Sequence, residues 1–108
     1  MKVRKLTEKY FTYFRSKDIN QLKKLFDDEI ILCDWEIEIS GINNVVSQNI
    51  EIFNNLGKFD LKIKNIYEIG KIIFAEINIL INDEVIKVID KIEFNENNMI
   101  IKITAYKG

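Results

Sequence analysis

The chain has 108 residues, a formal net charge of −1 and 31% charged residues, which is typical of one globular domain over residues 1–108. Basic and acidic residues are balanced and interspersed, so a nucleic-acid-binding surface is not expected. No apolar run reaches the about 18 residues of a membrane span, and the first ten residues have no apolar signal core. We therefore expect a cytoplasmic protein with neither a nucleic-acid nor a membrane partner.

The residue types available for chemistry are restricted. Histidine is absent, and Cys33 is the only cysteine. An internal disulfide, a metal site built on histidine and a nucleophile activated by histidine are therefore excluded. Acid–base chemistry in this chain must use carboxylates, tyrosines or lysines, and we expect no metal and no cofactor.

The N-terminal half is predicted to contain three helices and one strand. Apolar residues recur at steps of three and four in the helical segments, and Asp18 is a suitable cap for the second helix. Residues 27–29 are predicted to form a turn. The helices are predicted at residues 3–16, 18–26 and 42–55, and the strand at 30–39.

The C-terminal half is predicted to be a meander of four strands. Gly70, Asn82-Asp83 and the segment 95–98 are turn signals between apolar runs. Such short turns imply antiparallel pairing. Helices segregated from an antiparallel sheet define an α+β domain. The strands are predicted at residues 59–68, 71–82, 84–95 and 99–107.

Four polar residues interrupt apolar patterns. Asp90 shares one face of its strand with Ile86, Val88, Ile92 and Phe94, where an unpaired carboxylate would lose its hydration. The alternatives for Asp90 are a buried pair with a lysine or a strand face open to solvent.

Tyr10 and Asn49 lie on the apolar stripes of the first and third helices. Tyr10 is also compatible with a simple core aromatic, and Asn49 with a surface position if the helix phase is shifted by one residue. Asp34 would share a solvated face with Glu36 and Glu38 in a straight strand. Only a kink or bulge near Trp35 would turn it inward toward Asp90.

Two stretches resemble the nuclear transport factor 2 superfamily, which includes SnoaL-like polyketide cyclases, scytalone dehydratase and ketosteroid isomerase. They are YFTYFRSKDINQLKKLFDDEIILCD, beginning at Tyr10, and VIDKIEFNENNMIIKITAY, beginning at Val88. Gly41 matches a glycine that opens the third helix of that family. The resemblance implies a cone of three helices on a strongly curved antiparallel sheet, enclosing a pocket, and a homodimer formed through the sheet.

The resemblance to ketosteroid isomerase extends to three catalytic positions. Asp34 matches its proton-moving base, and Tyr10 and Asp90 match the two groups that donate hydrogen bonds to the enolate oxygen. Trp35 stands where the isomerase has a proline, Asn49 replaces a supporting tyrosine, and the loop after the base is shorter. A steroid substrate is therefore not expected.

Two functions remain open at this point. The first is acid–base isomerisation, cyclisation or dehydration of a small carbonyl compound by Tyr10, Asp34 and Asp90. The second is a non-catalytic module, either a binder of a small apolar ligand or a dimeric interaction domain, in which Asp90 only satisfies the core through Tyr10 or Asn49. The expected pocket residues are Phe14, Phe26, Trp35, Asn49, Phe53 and Phe94.

Overall fold

The structure is a computed structural model that describes residues 2–108. The helices are α1 (Lys2–Arg15), α2 (Ile19–Leu25) and α3 (Ile42–Asn55). Asp18 caps α2 as predicted, since its side chain accepts a hydrogen bond from the Gln21 backbone N–H at 3.2 Å. Gly41 precedes α3 with a φ of 91°, a conformation that favours glycine. None of the helices in the described chain has the length and apolar character to cross a membrane.

The sheet contains the predicted meander and one further pairing. Its strands are β1 (Phe26–Cys33), β2 (Glu38–Ser40), β3 (Phe59–Ile69), β4 (Ile72–Ile81), β5 (Glu84–Phe94) and β6 (Ile100–Lys107). Their order within residues 2–108 is β2-β1-β6-β5-β4-β3. β3 to β6 pair antiparallel in sequence, β6 pairs with β1 in parallel, and β1 pairs with β2 antiparallel. The α+β class is confirmed.

The prediction of one continuous strand over residues 30–39 is wrong. The strand begins at Phe26, where the second helix was expected to end, and includes residues 27–29, for which a turn is predicted. The register between β1 and β6 shifts between Phe26 and Ile31, so this irregular stretch accommodates three successive acidic residues. After Cys33 the chain turns and returns as the separate strand β2.

The sheet is curved and not closed. Register shifts, which bend strands, occur between Phe26 and Ile31, Ile63 and Asn65, and Glu93 and Phe94. The helices contact one face of the sheet, which we call the inner face and which carries the buried residues Ile73, Ile77 and Ile92. The core lies between the helices and this face.

Candidate functional site

Asp90 occupies the inner face of β5 between Val88 and Ile92. Its direct neighbours on the two adjoining strands are Ala75 of β4 and Ala105 of β6. These are the only two alanines in the chain. Ala105 lines the cavity, and a larger side chain there would fill the space beside the carboxyl group, whereas Ala75 is fully buried.

The Asp90 carboxyl group is buried without a protein partner. The residue is 7% exposed, and nothing in residues 2–108 hydrogen-bonds to its side chain or forms an ion pair with it. Neither the lysine-paired nor the solvent-open alternative therefore describes it. Burial raises the pKa of Asp90 from 3.8 to about 7. Below that pH the group is protonated and can donate a hydrogen bond.

Two helices add buried polar side chains. Tyr10 of α1 is 5% exposed and Asn49 of α3 is 4% exposed, so the surface alternative for Asn49 is wrong. Within the described residues neither side chain has a hydrogen-bond partner. Burial, and secondarily the charge of Asp90, raise the pKa of Tyr10 well above its ordinary value. The Tyr10 hydroxyl therefore keeps its proton and is a hydrogen-bond donor.

These unpartnered groups face a cavity of about 120 Å³ that Tyr10, Asn49 and Asp90 all line. In residues 2–108 no side-chain nitrogen or oxygen is fully sealed from solvent without a hydrogen bond. The polar atoms of the three residues are therefore reached from the cavity. The hydrogen bond from Asp90 to Tyr10 or Asn49 that a purely structural role requires is not present in this part of the chain.

Asp34 reaches the same cavity from the turn between β1 and β2. Its Oδ1 accepts hydrogen bonds from the backbone N–H groups of Glu36 at 2.7 Å and Ile37 at 2.8 Å. Its own N–H donates to the Ile37 carbonyl at 2.9 Å. This side-chain turn interrupts the straight strand in which Asp34 would be solvated. No described residue donates to Oδ2, which leaves that oxygen available to a ligand.

The phenylalanines expected at the pocket occupy two kinds of position. Phe14 lines the cavity, whereas the lining found among the described residues does not include Phe26, Phe53 or Phe94, which are buried in the core. The ring centroid of Phe26 lies 6.4 Å from that of Tyr10, and that of Phe53 lies 5.0 Å from that of Phe14. These two rings support the aromatic residues of the cavity from behind.

Trp35 also lines the cavity and is half exposed, which places it at the mouth. The Lys107 ammonium lies 5.6 Å from the centroid of its ring, a cation–π contact that holds the indole in place.

Sequence reasoning missed the apolar residues of the cavity wall. They lie at alternate positions on the inner faces of the strands, so strand periodicity together with the position of Asp90 could have identified them. They include Leu32, Leu61, Ile77, Val88, Ile103 and Ala105.

The groups available at the cavity are two carboxyls, one phenol and one amide. No arrangement of three or more potential ligands for a metal ion occurs within residues 2–108. What these groups can do directly is donate and accept hydrogen bonds and transfer protons.

Comparisons with known proteins find structural but not sequence relatives. No protein-family model and no curated protein matches the chain. A candidate SnoaL-like polyketide cyclase from Shewanella denitrificans matches with a TM-score of 0.89 at 13% identity, over 98% of this chain and 90% of that one. A candidate ketosteroid isomerase from Kribbella flavida matches with a TM-score of 0.88 at 17% identity, over 98% and 77%. A protein designed de novo with a curved β-sheet matches with a TM-score of 0.84 at 13% identity, over 98% and 84%.

The chain therefore has the nuclear transport factor 2-like fold that SnoaL-like and ketosteroid isomerase-like proteins share. At these identities the likeness shows the fold alone. A shared fold does not establish a shared activity. Any function must be argued from the residues at the cavity.

Proposed function

We propose that the protein is an acid–base enzyme, an isomerase, cyclase or dehydratase, that acts on a small carbonyl compound bound in the cavity. The observation that carries the proposal is the set of buried, unpartnered side chains of Tyr10, Asn49 and Asp90 at one cavity. Their polar atoms are reached from the cavity and have no hydrogen-bond partner among the described residues. A ligand oxygen in the cavity can therefore accept hydrogen bonds from Tyr10 and Asp90.

The roles of Tyr10 and Asp90 follow from their raised pKa values, and that of Asp34 from its free Oδ2 at the cavity. Oδ2 of Asp34 takes a proton from the carbon beside the substrate carbonyl, and the C–H electron pair moves into the enolate. The Tyr10 hydroxyl and the protonated Asp90 carboxyl donate hydrogen bonds to the oxygen that gains charge. Asp34 then returns the proton to a different carbon in an isomerisation, or the enolate reacts further in a cyclisation or elimination.

The size of the cavity limits the substrate. A cavity of about 150 Å³ holds benzene, and this one measures about 120 Å³. Pockets for drug-sized ligands begin at about 300 Å³. The part of the substrate that enters is therefore a single small ring or a short branched chain, and a steroid nucleus does not fit.

The proposal is tested by hydrogen–deuterium exchange at the carbon beside a ketone. The probe is 4-methylpentan-2-one in D₂O at pH 6, followed by proton NMR. We expect wild type to accelerate exchange and Asp34→Asn to lower the rate by at least about 100-fold, because the amide keeps the Oδ1 acceptor of the turn but cannot take a proton. Asp28→Asn is the matched control, since Asp28 is exposed on β1.

Exchange that wild type does not accelerate, or that Asp34→Asn leaves unchanged, would contradict the enzymatic proposal. The exchange rate should also fall as the pH rises through about 7, because Asp90 then loses its proton and can no longer donate a hydrogen bond. An exchange rate that keeps rising above pH 7 would show that the protonated Asp90 takes no part in the mechanism.

A non-catalytic binder of a small carbonyl ligand is the second candidate. The half-exposed Trp35 at the mouth favours it, because an indole beside Lys107 offers an apolar contact to a ligand and no group that transfers a proton. Saturable binding of 4-methylpentan-2-one in NMR titrations, without any accelerated exchange, would identify the protein as this module.

We also propose that two copies pair through the outer face of the sheet. This face carries the exposed apolar residues Tyr67, Ile89 and Tyr106. It also carries acidic Glu76, cross-strand from Ile89, and basic Lys87. A face with both signs of charge around apolar residues can complement a second copy of itself. Sedimentation that shows a monomer at high micromolar concentration would contradict the dimer.

A further inference from the structure

The amide of Asn49 has no structural explanation within the fold. Asn49 stands one helical turn after Val45 and one turn before Phe53, and all three are buried on the inner side of α3. A leucine would satisfy this stripe better. The amide caps no helix end and bonds to no described residue, unlike Asn44 of the same helix, which donates to the Ser40 carbonyl at 3.0 Å.

The carbonyl oxygen of the proposed substrate does not need Asn49. That oxygen has two lone pairs, which the hydroxyl of Tyr10 and the protonated carboxyl of Asp90 occupy. Asn49 still offers two donor hydrogens and an acceptor oxygen toward the same cavity. A ligand with one carbonyl therefore offers this amide no partner.

We infer that Asn49 binds a second oxygen function of the substrate, so that the substrate class is small bifunctional carbonyl compounds, such as 1,3-diketones and their β-hydroxy counterparts. The inference rests on the proposed function and specifies its substrate.

The dimensions of the cavity place the two oxygen functions close together. Tyr10, Asn49 and Asp90 come from α1, α3 and β5 and meet at a space of about 120 Å³. The second oxygen is therefore separated from the first by only a few bonds. A carbon between two carbonyl groups is also more acidic than one beside a single carbonyl, which suits a carboxylate base such as Asp34.

The test compares two probes of equal shape. Acetylacetone has two carbonyl groups, and 4-methylpentan-2-one has the same skeleton with a methyl group in place of the second oxygen. Dissociation constants are measured by NMR titration at pH 6, where Asp90 is protonated. The proteins are wild type, Asn49→Leu and Asn54→Leu. Asn54 is an exposed asparagine of the same helix, so it provides the matched control.

We expect wild type and Asn54→Leu to prefer acetylacetone, and Asn49→Leu to shift the ratio of the two dissociation constants by at least about tenfold toward the monoketone. A merely structural role for Asn49 would change both affinities together and leave that ratio unchanged. The side-chain amide signals of Asn49 should move on addition of acetylacetone and not of the monoketone. The wild-type comparison is decisive even if Asn49→Leu does not fold.

Equal affinities of wild type for the two probes, or a ratio that Asn49→Leu leaves unchanged, would overturn the inference. The proposed function would survive that result if the monoketone still binds and exchanges its protons. If neither probe binds, both the inference and the proposed function fail.

Discussion

The turn that holds Asp34 and the strand that holds Asp90 present the same side chain to one cavity in opposite environments. Asp34 is partly exposed, and two backbone N–H groups donate to its Oδ1. Asp90 lies between apolar neighbours and alanines, with no donor among the described residues. The apolar surroundings of Asp90 favour its neutral acid and raise its pKa to about 7.

The proposed roles of the two aspartates use this difference. In the proposed mechanism Asp34 is the base and Asp90 is a hydrogen-bond donor. The turn leaves Oδ2 of Asp34 without a donor among the described residues, whereas burial raises the pKa of Asp90, whose protonated carboxyl can donate a hydrogen bond.

The largest expected effect is on the pH dependence of stability. Asp90 keeps its proton up to about pH 7 in the folded protein but only up to about 3.8 in the unfolded chain. The folded state binds more protons between these values, so the free energy of unfolding falls as the pH rises through this window. Asp90→Asn removes this loss and should be more stable than wild type at pH 8 by up to about 4 kcal/mol.

Urea unfolding at pH 4 and pH 8 measures this difference. The two proteins should have similar stability at pH 4, and Asp28→Asn should follow wild type throughout. A mutant that is less stable than wild type at pH 8 by several kcal/mol would show that Asp90 is ionised and paired.

A smaller effect on stability is expected when valine replaces either of the two alanines that lie cross-strand from Asp90. Ala75 is fully buried and is not part of the cavity lining in the described chain, so Ala75→Val should destabilise the protein by about 1–3 kcal/mol through overpacking. Ala105 lines the cavity, and Ala105→Val should extend into free space at a cost below about 1 kcal/mol. Thermal unfolding of both variants checks this order.

Ala105→Val should also abolish binding of the ketone probes, because the added methyl groups occupy their space. It should raise the pKa of Asp90 further, since it removes water from the carboxyl group. Unchanged ligand affinity would show that the cavity beside Asp90 is not the binding site.

The smallest expected effect concerns the turn. Asp34→Ala removes the acceptor for two backbone donors and should cost about 1 kcal/mol of stability. Asp34→Asn retains an acceptor and should stay within about 0.5 kcal/mol of wild type. Chemical unfolding that ranks Asn as costly as Ala would mean that the carboxylate charge, and not the turn hydrogen bonds, stabilises this segment.

The parts of the site on regular elements could be predicted from the sequence. Tyr10 and Asn49 follow the helical period and Asp90 follows the strand period, so their place on apolar faces is visible without a structure. The direction of Asp34 could not be predicted in the same way. It depends on a turn that one of its own oxygens stabilises, and periodicity carries no information about such a turn.

Pairing between strands that are far apart in sequence explains the other differences between the predicted and the observed elements. Residues 27–29 read as a turn because they are acidic, yet they lie within β1, between the parallel pairings of Phe26 with Ile100 and of Ile31 with Lys102. The side chain of Asp27 accepts a hydrogen bond from Asn95, 68 residues away. Contacts between segments so far apart in sequence override local preferences.

The protonation of Asp90 is the central claim, and carbon NMR of its carboxyl group tests it most directly. The aspartate carboxyl signals are titrated from pH 3 to pH 9 in wild type, and Asp90→Asn assigns the signal that disappears. We predict a midpoint near the value of about 7 that burial imposes. A midpoint at or below the ordinary value of about 3.8 would show a solvated or paired carboxylate, which would contradict the assignment of Asp90 as the hydrogen-bond donor.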